Sequence, residues 1–318
     1  MGSAGGMPWS VWSIVLPLTG AVLAFLWPRR ARVIGVLAGA STAAVVSALV
    51  VQILAQGVQR YSIGGWGVPL GIDLYADGLS GLLLAVAALV GIGVSVYGRR
   101  YFATLDAEGF FWPLWLFLWA ALNALFLSGD VFNLYVTLEL VGLAAVALVA
   151  LAGTGAALTG AVRYLLVSLV GSASYLLGVA LLYGQAATLD ILALGAAVQP
   201  GISTWVAMGA MFAGLTLKTA LFPLHFWLPG AHGAAPAPVS ALLSGLVVKA
   251  SFYLLLRLWL QVFPVALPEP AQLLGVLGAA AILWGSVQAL RQERLKMLLA
   301  YSTVAQLGYL FLIFPLSL

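Results

Sequence analysis

Leu217-Lys-Thr-Ala-Leu-Phe-Pro-Leu-His-Phe-Trp-Leu-Pro229 places a lysine inside a strongly apolar stretch and follows it with two prolines six residues apart. Each proline removes a backbone donor and disturbs a helix. Irregular backbone at membrane depth is tolerated only when buried in protein or lining a water-filled cavity. If the surrounding chain is membrane-embedded, this stretch predicts a broken helix with internal water beside Lys218. A plain proline kink at a helix end is the simpler reading of Pro223 and Pro229 taken alone.

The rest of the chain supplies the membrane. Of its 318 residues, 64% are hydrophobic and 7% charged, mean hydropathy is +1.12, and cysteine is absent. So few charges do not cover a water-facing surface, which excludes a soluble globular domain. Without cysteine there is no thiolate for an Fe–S cluster, a zinc site or a disulfide, and two histidines are too few for most histidine-based metal centres. No cofactor and no metal is expected. Thirteen basic against nine acidic residues are accounted for by charged loops, so nucleic-acid binding is not expected. There is no Walker A loop, and Gly91-Ile-Gly93 has Val96 where a dinucleotide fingerprint needs its third glycine.

Cutting at charged, proline-rich and glycine-rich breaks leaves ten apolar runs near the roughly 20 residues that span a bilayer. They lie at 9–27, 33–55, 77–97, 111–128, 131–151, 160–183, 202–222, 239–261, 271–290 and 295–315. Arg29, Arg30, Arg32, Arg99, Arg100, Arg163, Arg291, Arg294 and Lys296 then all fall on one side. The positive-inside rule makes that side cytoplasmic and puts the N-terminus outside. Arg60 lies opposite, with Asp73, Asp77, Asp130, Asp190 and Glu269. The first run has no basic residue before it and is expected to stay as a helix. Residues 56–76, with Gly64, Gly65, Gly67, Pro69 and Gly71, read as an outside loop or short hairpin, and 185–200 as a short amphipathic piece. Gly35 with Gly39, and Gly171, Ser174 and Gly178, suit close helix packing. Trp112, Trp115, Trp119 and Trp259 suit packing or interfacial belts.

A charge at mid-bilayer costs about 2.5–3.5 kcal/mol on insertion scales, so it tends to mark a pathway or a pair. Glu139 is central in the fifth run, Lys218 deep in the seventh and Lys249 central in the eighth. Glu139 could neutralise one lysine as a structural ion pair, which leaves the other to explain. Desolvation and a nearby carboxylate act on a lysine in opposite senses, so a lysine under both influences can serve as a proton-relay station. His225 and His232 flank the break and suit either proton transfer or a structural hydrogen bond. Arg257 is expected to snorkel to the outer surface and Arg163 to the inner one; Arg163, opening a helix with Ser168, Ser172 and Ser174, is the better functional candidate of the two. Asp130 reads as a helix cap.

Three blocks carry a resemblance: Ser128-Gly-Asp-Val-Phe-Asn-Leu-Tyr-Val-Thr-Leu-Glu139; the 217–229 stretch running on through Ala235-Pro-Ala-Pro-Val-Ser-Ala-Leu-Leu-Ser-Gly-Leu-Val-Val-Lys249; and Glu293-Arg-Leu-Lys-Met-Leu-Leu-Ala-Tyr-Ser-Thr-Val-Ala-Gln-Leu-Gly308. They resemble the antiporter-like subunits shared by respiratory complex I, hydrogenase-4-type hydrogenases and Mrp-type cation/proton antiporters, the Mrp D-type protein above all. The resemblance runs from about residue 70 to the end. It implies an all-α polytopic membrane fold with two inverted five-helix repeats, each with a broken helix. Three segments follow: 1–110 with helices one to three, 111–261 with the first repeat (helices four to eight, helix seven broken), and 262–318 opening an incomplete second repeat. It further implies a relay in which Glu139 modulates Lys218 and protons pass by way of Lys249, with His225 or His232 as further stations.

Gly230 stands where relatives often have Asp, a departure that touches no relay residue. The implied setting is the inner membrane, within a multisubunit complex that moves protons or exchanges a cation such as Na⁺ for them. The expected partners are other membrane subunits, including a chain that supplies the missing C-terminal helices unless the sequence is itself a piece of a longer one. A redox-driven pump with its redox chemistry on other chains, and an inorganic-carbon uptake complex, are the alternatives the family offers.

Overall fold

A computed structural model describes residues 8–68, 71–103, 107–263 and 268–317. The chain falls into two compact units, one ending at Leu151 and the other beginning at Ala152. The first contains α1 (Trp9–Leu26), α2 (Ala31–Gln56), β1 (Gln59–Ser62), β2 (Asp73–Ala76), α3 (Gly78–Tyr101), α4 (Glu108–Leu127) and α5 (Val131–Ala150). The second contains α6 (Gly155–Ala186), α7 (Ile191–Ala197), α8 (Ile202–Thr219), α9 (Leu228–Ala234), α10 (Ala237–Leu242), α11 (Val248–Gln261), α12 (Pro268–Leu290), α13 (Leu295–Phe311) and α14 (Ile313–Leu316).

Among the described residues ten helical spans are long and apolar enough to cross a membrane, the number the sequence predicts. The longest run without a break is α6, 32 residues where the sequence suggests 24, because Thr154 caps it through the backbone N–H of Ala157 well before the apolar stretch begins. The acidic residues of the loops have a structural use. Asp77, Asp130 and Asp190 each accept a hydrogen bond from the backbone three residues on, capping α3, α5 and α7. The glycine-rich loop is a hairpin: β1 and β2 pair antiparallel, and Arg60 reaches Asp73 at 2.5 Å across it. Pro69 lies outside the described residues. The 185–200 segment becomes α7 and stops at Ala197, short of Pro200.

In the first unit α4 carries the core. Trp112, Trp115 and Trp119 are fully buried on it, so they serve packing and not the interfacial belt. A Cβ on Gly35 would lie 2.1 Å from the Trp112 ring, so only glycine lets α2 approach α4 there.

Candidate functional site: the broken helix and its polar line

The break begins directly after Lys218. Helix α8 ends at Thr219, and Ala220 adopts the left-handed conformation (φ 58°, ψ 40°), which costs an L-residue about 1–2 kcal/mol. Its N–H and that of Leu221 turn back onto the carbonyls of Leu217 and Thr216, closing the helix end. The chain passes the cis Phe222-Pro223 peptide, makes a 3-10 turn over Leu224–Trp227, and resumes as α9. Pro229 does not help open the helix, as its spacing from Pro223 suggests. It sits in the first turn of α9, where a missing N–H is harmless.

Two side chains hold this geometry. Trp227 donates its indole N–H to the Leu217 carbonyl at 3.0 Å, supplying a partner where the α-helical ladder has ended. The same ring stacks on Tyr164 of α6, centroids 4.4 Å apart and planes 8° from parallel. Trp227→Phe keeps the stacking and loses the bond, so thermal unfolding in mild detergent should show destabilisation of about 1–2 kcal/mol. An unchanged melting temperature would mean that the indole bond contributes nothing to the break.

Lys218 is 5% exposed. Its stem passes over Gly171 of α6, where an added Cβ would lie 2.9 Å from Lys218 Cγ and 2.9 Å from the Gly214 carbonyl. Gly178 faces Met211 in the same way, and Gly160 faces the backbone of Ala231 in α9. One uninterrupted helix, α6, thus supports both halves of the broken one, and its glycines are the contact. Ser174 adds a hydrogen bond to the Ala210 carbonyl at 2.8 Å.

Beyond the break lies a polar line that sequence reasoning does not single out. A π-helical segment, Leu243–Val247, interrupts the chain between α10 and α11, and the Lys249 ammonium donates to the Ser244 carbonyl inside it. Such segments shift the backbone hydrogen-bond register and often occur at functional sites. Ser244 Oγ shares a 2.8 Å hydrogen bond with Thr303 Oγ1 of α13. Lys296, in the first turn of α13 and assigned from sequence only to a charged loop, donates to the Ala235 carbonyl at the end of α9. His232 is 2% exposed and its carbonyl accepts from Ser240 Oγ at 2.8 Å. His225 Nε2 accepts from Trp284 Nε1 of α12 at 3.2 Å. The two hydroxyls could have been flagged only by knowing that the π-helical segment meets α13.

Glu139 belongs to the first unit. It is half-buried midway along α5, whose start is fixed by Asp130, by Asn133 Nδ2 donating to Ser128 Oγ at 2.9 Å, and by Gly129 N–H donating to the Asp73 carbonyl of β2. Lys218, His225, His232 and Lys249 belong to the second unit.

The two arginines divide. Arg163 is on an exposed face of α6, as snorkelling requires. Arg257 does not snorkel: it is 2% exposed, its guanidinium donates to the Tyr253 hydroxyl at 2.6 and 3.1 Å, and it lies 5.1 Å from that ring's centroid. The i, i+4 spacing on α11 brings the two together inside the unit. Arg257→Ala should therefore destabilise the protein by about 1.5–3 kcal/mol, the range for hydrogen bonds to charged groups. Unfolding at the wild-type temperature would show that the contact is dispensable.

Among the described residues no group of three His, Cys, Asp or Glu is placed to hold a metal ion. What the site offers is ionisable groups bonded to backbone carbonyls at helix interruptions, with hydroxyls nearby, which suits proton movement.

Residues 128–317, from just before the Asp130 cap of α5 to just past α14, match the family described as NADH:quinone oxidoreductase/Mrp antiporter, TM. The chain belongs to this family. Similar curated members include the N subunit of the NADH-quinone oxidoreductase of Desulforudis audaxviator, 40% identical over 80% of this chain and 52% of that protein. Another is the D subunit of the Na(+)/H(+) antiporter of Bacillus subtilis, 30% identical over 93% of this chain and 61% of that one. This family member thus spans between half and two thirds of the length of those relatives. Among solved structures, a chain of the archaeal membrane-bound sulfane sulfur reductase superposes with a TM-score of 0.89 at 28% identity, covering 96% of this chain and 64% of that one. A chain of the Mrp complex from Dietzia sp. DQ12-45-1b gives 0.87 at 26%, covering 98% and 59%. With its ten apolar spans, the family member is a multi-pass membrane protein of the antiporter-like fold.

Proposed function

We propose that this chain is a cation/proton-translocating component of a multisubunit membrane complex, most like the D subunit of the Mrp antiporters, with Glu139, Lys218 and Lys249 as its proton relay. The observation that carries the reading is Lys218: a lysine 5% exposed at the last turn of α8, directly before the break. Lys249 and the Ser244–Thr303 pair continue the path toward α13. His225 and His232 are further stations, and Glu139 modulates Lys218. On this reading residues 111–261 form the first inverted repeat, the basic loops face the cytoplasm, and the N-terminus is outside.

The partners are other membrane subunits, and the moved ions are H⁺ with or without a cation such as Na⁺. A second reading, a proton-pumping subunit of a quinone-reducing redox complex, is favoured by the 40% identity to an NADH-quinone oxidoreductase N subunit. Purification from native membranes in mild detergent, with mass spectrometry of the co-purifying chains, separates the two. Small membrane subunits support the antiporter, whereas Fe–S or nickel proteins support the redox pump. Isolation as a lone chain would contradict both.

A further inference from the structure

Helices α2 and α3 leave between them a groove of about 970 Å³ on the first unit, lined by none of the proposed relay residues. Gly39, Ala43 and Ser47 of α2 face Gly93 and Val96 of α3 along it, and Arg99 and Arg100 close one end. Apart from the Tyr97 hydroxyl and the two arginines the walls are apolar in effect, because both serine hydroxyls are engaged. Ser47 Oγ donates to the Ala43 carbonyl at 2.8 Å, and Ser95 Oγ accepts the Trp115 indole N–H at 3.0 Å. A Cβ on Gly93 would meet nothing within 4 Å, so the groove is open there.

Length and charge identify the occupant. From Val36 to Ser47 the groove runs about 16 Å at the α-helical rise, roughly half the 30 Å hydrocarbon core. A spanning partner helix needs the full depth, whereas a lipid tail needs one leaflet. Both arginines are exposed, and among the described residues neither Arg99 nor Arg100 forms an ion pair with a carboxylate. Two guanidiniums at the mouth of a one-leaflet groove suit a phosphate, which arginine binds in bidentate fashion, and basic pockets between transmembrane helices are known to take anionic headgroups. We propose that this groove holds an acyl chain of an anionic membrane phospholipid, with its phosphate on Arg99 and Arg100.

The test uses the full chain in its native complex, purified in mild detergent and titrated with phosphatidylglycerol or phosphatidylcholine under native mass spectrometry. The wild type should retain one phosphatidylglycerol, with about tenfold preference over phosphatidylcholine. Arg99→Gln with Arg100→Gln should lose the preference. Gly93→Phe, which places a ring in the groove from a position where an added Cβ meets nothing within 4 Å, should lose the bound lipid while the complex stays intact. Equal retention of both lipids by the wild type, or undiminished phosphatidylglycerol on Gly93→Phe, would overturn the proposal. Because the chain has no cysteine, Gly93→Cys gives it a single thiol, and attaching the photo-crosslinker to the purified chain before reconstitution confines the label to that site. Crosslinks to phospholipid support the assignment, and crosslinks to the helix of a partner protein overturn it.

Discussion

Lys218→Ala is expected to reduce proton-coupled transport by about 10²-fold or more, the lower range of what a positioned proton-transfer group contributes, with the complex assembled at its normal level. The reason lies in the burial of this ammonium. It sits against Gly171 at the end of α8, where the ladder of α-helical hydrogen bonds stops and the chain turns at Ala220. Lys218→Arg sharpens the test. Arginine keeps the charge but does not release its proton in a protein, so a relay fails with either substitution, whereas a purely electrostatic role survives the second. Both are read as dissipation of a pH gradient in everted vesicles, beside the membrane level of the protein. Normal transport by Lys218→Ala would remove Lys218 from the relay.

Glu139→Ala should abolish transport to a similar degree, and Glu139→Gln, which keeps the shape, should do the same. A carboxylate at mid-span costs about 2.5–3.5 kcal/mol to insert, so it tends to mark either a pair or a pathway. The two roles open to Glu139 then separate by melting temperature. Loss of a structural ion pair lowers stability together with transport. Loss of a relay group lowers transport alone, since α5 keeps its Asp130 cap and its anchor on β2 in either variant. Wild-type transport by Glu139→Gln would contradict the assignment.

Most of the architecture was legible because its signals are local. Apolar runs of about 20 residues must span, and the charges between them mark the ends. The cap at Asp130 follows the same local logic, whereas Asp77 and Asp190 read in the sequence only as loop charges and turn out to cap α3 and α7. The position of the helix break was only half legible. Pro223 announces it, but the turn is made by Ala220, a residue with no preference for the left-handed region, and Pro229 starts a helix that its spacing suggested it would interrupt. Arg257 was misjudged because its burial depends on Tyr253 and on packing around α11, which sequence spacing does not report. The Ser244–Thr303 contact joins residues 59 apart, and the π-helical segment that exposes the Ser244 carbonyl to Lys249 has no proline to mark it. Local chemistry located the ionisable groups, and the Ser244–Thr303 hydroxyl pair required the packing.

The central claim is that this chain itself carries ions, and ion flux tests it most directly. The complex is expressed with and without this chain in a host lacking its own cation/proton antiporters, and the pH gradient of everted vesicles is followed after addition of Na⁺ or K⁺. The account predicts cation-dependent dissipation of the gradient that disappears without the chain and returns when it is supplied in trans. Dissipation of equal size in vesicles that lack the chain would contradict it.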